Sequence, residues 1–133
     1  MLMALFTFRA PLVARGALAA FARDLLAFCA DVAIAYAPAQ ISAGADTMGM
    51  SDAAASLIGP KLYAEFVWPE QRRVLEALRS RFPEVIRRVH MCGRTDPLFT
   101  KMGELPANLY EIDFPADLAT ARAQIGGKID LVK

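Results

Sequence analysis

The chain has 133 residues, enough for one domain with a core and too few for two. Hydrophobic side chains make up 56% and charged ones 22%, which excludes disorder and leans more apolar than the usual globular mixture. Fifteen basic against fourteen acidic residues leave a formal net charge of +1, so no global field favours nucleic acid or an anionic membrane.

The stretch Leu25 to Ile41 is interrupted by Asp31 and Pro38 before it reaches the roughly 18 clean apolar residues of a membrane span. Met1 to Phe8 is apolar, but no basic residue precedes it and no small-residue cleavage site follows, so a cytoplasmic location is expected. Arg72, Arg73, Arg79, Arg81, Arg87 and Arg88 cluster locally and read as charges solvated at helix and strand ends. Cys29 and Cys92 sit in unlike patterns and do not form a disulfide framework.

In chain order, the first predicted element is a long amphipathic helix from Leu18. Phe21, Leu25, Phe28, Cys29, Val32 and Tyr36 recur at spacings of three and four, the period of one helix face. Pro38 is expected to kink it and Gly44 to close it. A short strand follows at about Ala45 to Met50. Gly59-Pro60 then opens a helix that Trp68-Pro69 restarts, with Leu62, Phe66, Val74, Leu75, Leu78 and Phe82 as buried positions and Pro83 as the stop.

Val85 to Met91 reads as the next strand, with Gly93 in the exit turn. Asp96 before Pro97 is expected to cap a shorter helix through Phe99 and Met102. A strand at about Asn108 to Ile112, a helix near Asp117 to Gln124, Gly126-Gly127 and a strand at Lys128 to Val132 complete the chain. The alternation of helix and strand predicts an α/β fold with about four parallel strands and right-handed crossovers. Periodicity alone leaves a small open sheet and half of an eight-stranded barrel both open. The run stops at Lys133 with no helix to cover the final apolar strand, so the reading expects a fragment, or a chain covered by a partner such as a second copy.

His90 and Cys92 stand two apart at the carboxyl end of a predicted strand, so both side chains point to one face. Parallel α/β folds place active sites at that end. Imidazole nitrogen and thiolate sulfur are the donors zinc prefers, and a catalytic zinc takes three protein ligands with one open position. Core packing of a small cysteine beside a satisfied histidine is the competing reading. Cys29, on the apolar face of the first helix, reads as packing rather than as a ligand. Asp52 and Asp113 each follow a strand and are candidate catalytic residues, expected on the face of the metal pair to orient a substrate or a ligand; capping of the next helix is the alternative for both. Asp46 reads as structural, Arg94 and Lys101 as surface charge, and Met48, Met50, Met91 and Met102 as core filling. No phosphate loop, serine triad or paired-carboxylate motif appears.

Several segments taken in order resemble the uroporphyrinogen decarboxylase superfamily: Gly44-Ala45-Asp46, Ser51-Asp52, Ser56 through Phe66, Trp68-Pro69, His90-Met91-Cys92-Gly93-Arg94-Thr95, Glu111-Ile112-Asp113 and Asp117-Leu118. The resemblance runs from about Leu25 to Val132. It implies part of a TIM (β/α)₈ barrel over residues 1–133, matching the middle and later part of a longer protein. The His-x-Cys-Gly motif is similar to that of the corrinoid methyltransferase branch, in which these two residues and a later cysteine hold zinc. That branch implies His90 and Cys92 as metal ligands, zinc as cofactor, a corrinoid (methylcobalamin) protein as partner, and a small thiol or folate as methyl acceptor. No later cysteine is present in this chain. The rival within the superfamily is porphyrinogen decarboxylation, which needs no metal and, as the resemblance implies, uses an aspartate and arginines in an N-terminal region expected to lie outside this chain. A noncatalytic remnant or interaction domain is the third reading.

Overall fold

The computed structural model describes residues 16–127 and 129–132; the apolar opening at Met1 to Phe8 lies outside them. Four parallel strands lie in the order β1 (Thr47–Asp52), β2 (Ile86–Met91), β3 (Leu109–Ile112) and β4 (Asp130–Val132), with helices between them. Parallel neighbours cannot be joined by tight hairpins, so each connection carries helix. The α/β alternation expected from the sequence is therefore the observed one.

Helix α1 runs from Ala17 to Ser42. It carries Pro38 without a break, although proline offers no N–H to the preceding turn. Its end is a Schellman closure: Ala45 N–H donates to the Gln40 carbonyl at 3.1 Å and Gly44 N–H to that of Ile41 at 2.9 Å. Gly44 supplies the positive φ, 104°, that this turn demands.

The buried face of α1 differs from the expected one. Ala19, Ala22, Leu26, Ala30 and Ala37 are buried, whereas Phe21, Phe28, Val32 and Tyr36 are 50–64% exposed. Both sets recur at helical spacing. The alanine stripe is small enough to let α1 lie close to its neighbour, and Ala30 and Ala37 pack with Val74 and Leu78.

After β1, helix α2 (Ala55–Leu62) is broken at Gly59, with φ 75° and ψ 167°, and restarts at Pro60. A π-helical turn at Tyr63–Val67 leads into α3 (Trp68–Arg81). Val74, Leu75 and Leu78 of α3 are buried as expected, and Phe66 is buried in the π-helical turn before it. Arg73 ties α3 to α1 by donating to the Ala27 carbonyl at 2.7 Å. Arg87 corrects the reading of the arginine cluster as solvated: it is 7% exposed and donates to the carbonyls of Val85 and Pro106.

Between β2 and β3 lie a 3₁₀ turn (Asp96–Leu98) and α4 (Phe99–Met102). Asp96 does not cap its own turn; its Oδ1 accepts from Asp117 N–H at 3.1 Å, across to the loop after β3. Asp117 caps α5 (Leu118–Ile125) by accepting from Thr120 N–H at 2.7 Å.

Strand alternation divides the sheet into two faces. Val89, Met91, Tyr110 and Ile112 are buried beneath the helices with Leu75, Phe99 and Met102. Arg88, His90, Leu109 and Glu111 lie on the opposite face and are half-buried. That second face carries the candidate site. No helix among the described residues is long and apolar enough to cross a membrane.

Candidate metal centre

His90 is the penultimate residue of β2, and Cys92 N–H donates to the Asp52 carbonyl at 3.0 Å, which carries the strand pairing one residue further. The extended path keeps both side chains on the open face, and His90 Nε2 lies 3.2 Å from Cys92 Sγ. Two such donors bound to one tetrahedral zinc, at about 2.0 and 2.3 Å from it, stand roughly 3.5 Å apart. The observed pair is within a few tenths of an ångström of that spacing.

Two carboxylates from the third strand approach this pair. Glu111 is paired in register with His90, and its Oε2 is 3.4 Å from His90 Nδ1. Its Oε1 accepts from Arg88 Nη1 at 2.7 Å. Asp113, just past β3, accepts from Gly93 N–H at 2.6 Å through Oδ2 and from Phe114 N–H at 2.8 Å through Oδ1. Those backbone donors, with a smaller contribution from His90, hold its carboxyl below the usual aspartate range. Gly93 makes this approach feasible, since a Cβ there would fall 2.6 Å from Ser56 Oγ and its φ is 83°.

Asp52 is not brought to the pair. β1 extends through Asp52, so Ser51 takes the open face opposite His90 and Asp52 turns toward the helices, where it is 2% exposed. Its Oδ1 accepts from Ala54 and Ala55 N–H at 3.0 and 2.8 Å, and Oδ2 accepts from Gln71 Nε2 at 3.1 Å. Gln71 in turn accepts from the buried Tyr63 hydroxyl at 2.8 Å. Asp52 thus secures the entry to α2, and the expectation that it shares the face of His90 and Cys92 is corrected. Burial pushes its carboxyl above the usual range, with the two backbone donors opposing the shift.

Cys29 lines a cavity of about 270 Å³ between α1, α3 and the edge strand β1, together with Leu26, Asp52 and Gln71. Neither His90 nor Cys92 belongs to that lining. Burial raises the Cys29 thiol pKa, which disfavours a thiolate ligand. Lys101 sits 3.8 Å from the centre of the Trp68 ring and pairs with Glu104 at 2.5 Å. Among the described residues no group of three or more His, Cys, Asp or Glu is arranged to hold a metal. Arg88 and Glu111 were not among the sequence candidates. Their signal was the alternation that links Arg88, His90 and Cys92 on one strand and Glu111 and Asp113 on the next.

The sequence from residue 18 to 132 matches the family model described as Uroporphyrinogen decarboxylase (URO-D). A methylcobamide:CoM methyltransferase, MtbA, of Methanosarcina mazei is 35% identical over 107 residues, covering 79% of this chain and 31% of the relative. A uroporphyrinogen decarboxylase of Trichormus variabilis is 32% identical over 107 residues, covering 80% of this chain and 30% of the relative. A solved methyltransferase structure from Methanosarcina mazei superposes with a TM-score of 0.74 at 20% identity, covering 84% of this chain and 32% of that one. The chain thus spans about a third of the length of the proteins it matches. Its four strands and their helices form part of a TIM barrel. A family match over nearly the whole chain, with relatives of two activities at similar identity, places this protein in the uroporphyrinogen decarboxylase (URO-D) family.

Proposed function

We propose that this chain is the metal-bearing portion of a methyltransferase of the family, moving a methyl group between a corrinoid protein and a thiol or folate acceptor. The observation that carries this reading is the 3.2 Å approach of His90 Nε2 to Cys92 Sγ at the carboxyl end of β2. The donor set is one nitrogen and one sulfur on a common face, and it suits two corners of a zinc site. His90 would bind through Nε2 and Cys92 through its thiolate. A further protein donor would come from a part of the barrel outside this chain, since the described residues bring no third His, Cys, Asp or Glu into position for a metal. Zinc held there would supply a positive charge that keeps an acceptor thiol ionised at neutral pH.

The chain's own residues prepare that role. Gly93 supplies the positive-φ turn and the N–H that hold Asp113, and Asp113, held ionised by two backbone N–H groups, adds negative charge beside the pair. Asp113, rather than Asp52, is the carboxylate that would orient an acceptor near the pair. A corrinoid donor would supply the methyl group, keeping the bonding electron pair, and a thiol acceptor held beside His90 and Cys92 would take the methyl on sulfur and lose its proton to solvent.

Porphyrinogen decarboxylation is the second reading, favoured by the 32% identity to a uroporphyrinogen decarboxylase. One experiment separates the two. The protein purified without chelators is assayed for zinc and for thiol-dependent demethylation of methylcobalamin, alongside Cys92→Ala and His90→Ala. Zinc binding lost in both variants, with thiol methylation by the wild type, supports the methyltransferase. A metal-free protein that converts uroporphyrinogen to coproporphyrinogen overturns it.

A further inference from the structure

His90 Nδ1 is buried and makes no hydrogen bond with standard geometry in the protein. The acceptor poised at it is Glu111 Oε2, 3.4 Å away, from the residue directly across the parallel ladder. On the other side of the ring, Nε2 faces Cys92 Sγ at 3.2 Å. A neutral imidazole has one N–H and one lone pair, so the partner of Nδ1 decides which nitrogen can bind a metal.

Glu111 is itself held in place. Arg88 Nη1 donates to its Oε1 at 2.7 Å. The guanidinium of Arg88 reaches that position by lying across Gly49 on β1, where an added Cβ would meet Nε and Nη2 at 3.0 Å. Three adjacent strands therefore contribute in sequence: Gly49 makes room, Arg88 anchors, and Glu111 presents its remaining oxygen to the ring.

We propose that Glu111, anchored by Arg88 over Gly49, is a positioning residue that fixes His90 as the Nδ1–H tautomer and so directs the Nε2 lone pair toward the Cys92 sulfur. The inference rests on the metal-centre reading only for its consequence, a ligand pair preset for metal. Carboxylates behind a ligating histidine typically change metal affinity by about 10–100-fold.

His90 is the single histidine of the chain, so its ring nitrogens give one set of signals in a long-range ¹H–¹⁵N correlation spectrum. The metal-free wild type, at a pH where the ring is neutral, is expected to show the Nδ1–H tautomer. Glu111→Gln is expected to reverse it: Arg88 claims the amide oxygen, the amide NH₂ then faces Nδ1, and the proton moves to Nε2. Adding Arg88→Met to Glu111→Gln frees the amide to turn and recovers part of the Nδ1–H form, which a merely structural role for Glu111 does not predict. Zinc affinity by chelator competition is expected to fall about 10–100-fold in Glu111→Gln. A wild type with the proton on Nε2, or a Glu111→Gln spectrum unchanged from wild type, overturns the proposal. A wild type that shows the Nδ1–H form but binds no zinc supports the positioning role and removes the metal-centre reading instead.

Discussion

Gly93 N–H donates to Asp113 Oδ2 at 2.6 Å, joining the turn after β2 to the residue that follows β3. The contact holds one candidate carboxylate beside His90 and Cys92, and it depends on a backbone at φ 83° packed against Ser56. Gly93→Ala is expected to destabilise the fold by about 1–3 kcal/mol, since the added methyl group meets Ser56 Oγ and the positive φ is strained. Urea denaturation measures it. An alanine variant as stable as the wild type would show that the turn has room to relax.

Asp52 gives a pH dependence of defined sign. Its carboxyl titrates above the ordinary value near 3.8 because burial penalises the charged form, with the Ala54 and Ala55 amides opposing. The folded state then binds more protons than the unfolded state in the window above pH 3.8, so this group's contribution to stability falls as pH rises through the folded pKa. Asp52→Asn removes that titration. Relative to the variant, the wild type is expected to be more stable near pH 3.5 than near pH 7, the two pH values being rough choices either side of the window. Parallel urea melts at the two pH values check the sign, and a difference that grows in favour of the wild type toward pH 7 would contradict it.

The two apolar faces of α1 are separable by mutation. Leu26 is 7% exposed and Phe28 is 64% exposed. Leu26→Ala is expected to cost about 2–5 kcal/mol, and Phe28→Ala to change stability by less than about 0.5 kcal/mol. Thermal or chemical unfolding of the two variants tests which face is packed.

Tyr110 tests the seam between β3 and α4. Its hydroxyl, fully buried, donates to the Met102 carbonyl at 2.6 Å. Tyr110→Phe keeps the ring and removes one hydrogen bond, with an expected cost of about 0.5–1.5 kcal/mol because the Met102 carbonyl still accepts from Leu105 N–H at 2.9 Å. Equilibrium denaturation gives the value. A neutral substitution would mean that water or a shifted N–H replaces the hydroxyl.

Much of this protein was legible from local pattern. The αβ alternation, the parallel sheet, Gly44 as the close of α1 and the shared face of His90 and Cys92 all follow from helical and strand periods and from turn chemistry, which act over a few residues. The last helix was read as beginning near Asp117, which the structure shows to be its N-cap. What the tertiary structure decided was the choice among locally equivalent options. Helix α1 offers two apolar faces, and only packing against α3 selects the alanine stripe, because a small face permits the closer approach. Asp52 turned away from the metal pair because β1 runs two residues further than its apolar pattern suggests, and in a strand each added residue alternates the face. Glu111 came to stand beside His90 through the register of β2 on β3, a long-range alignment set by how the helices pack, which no local period encodes.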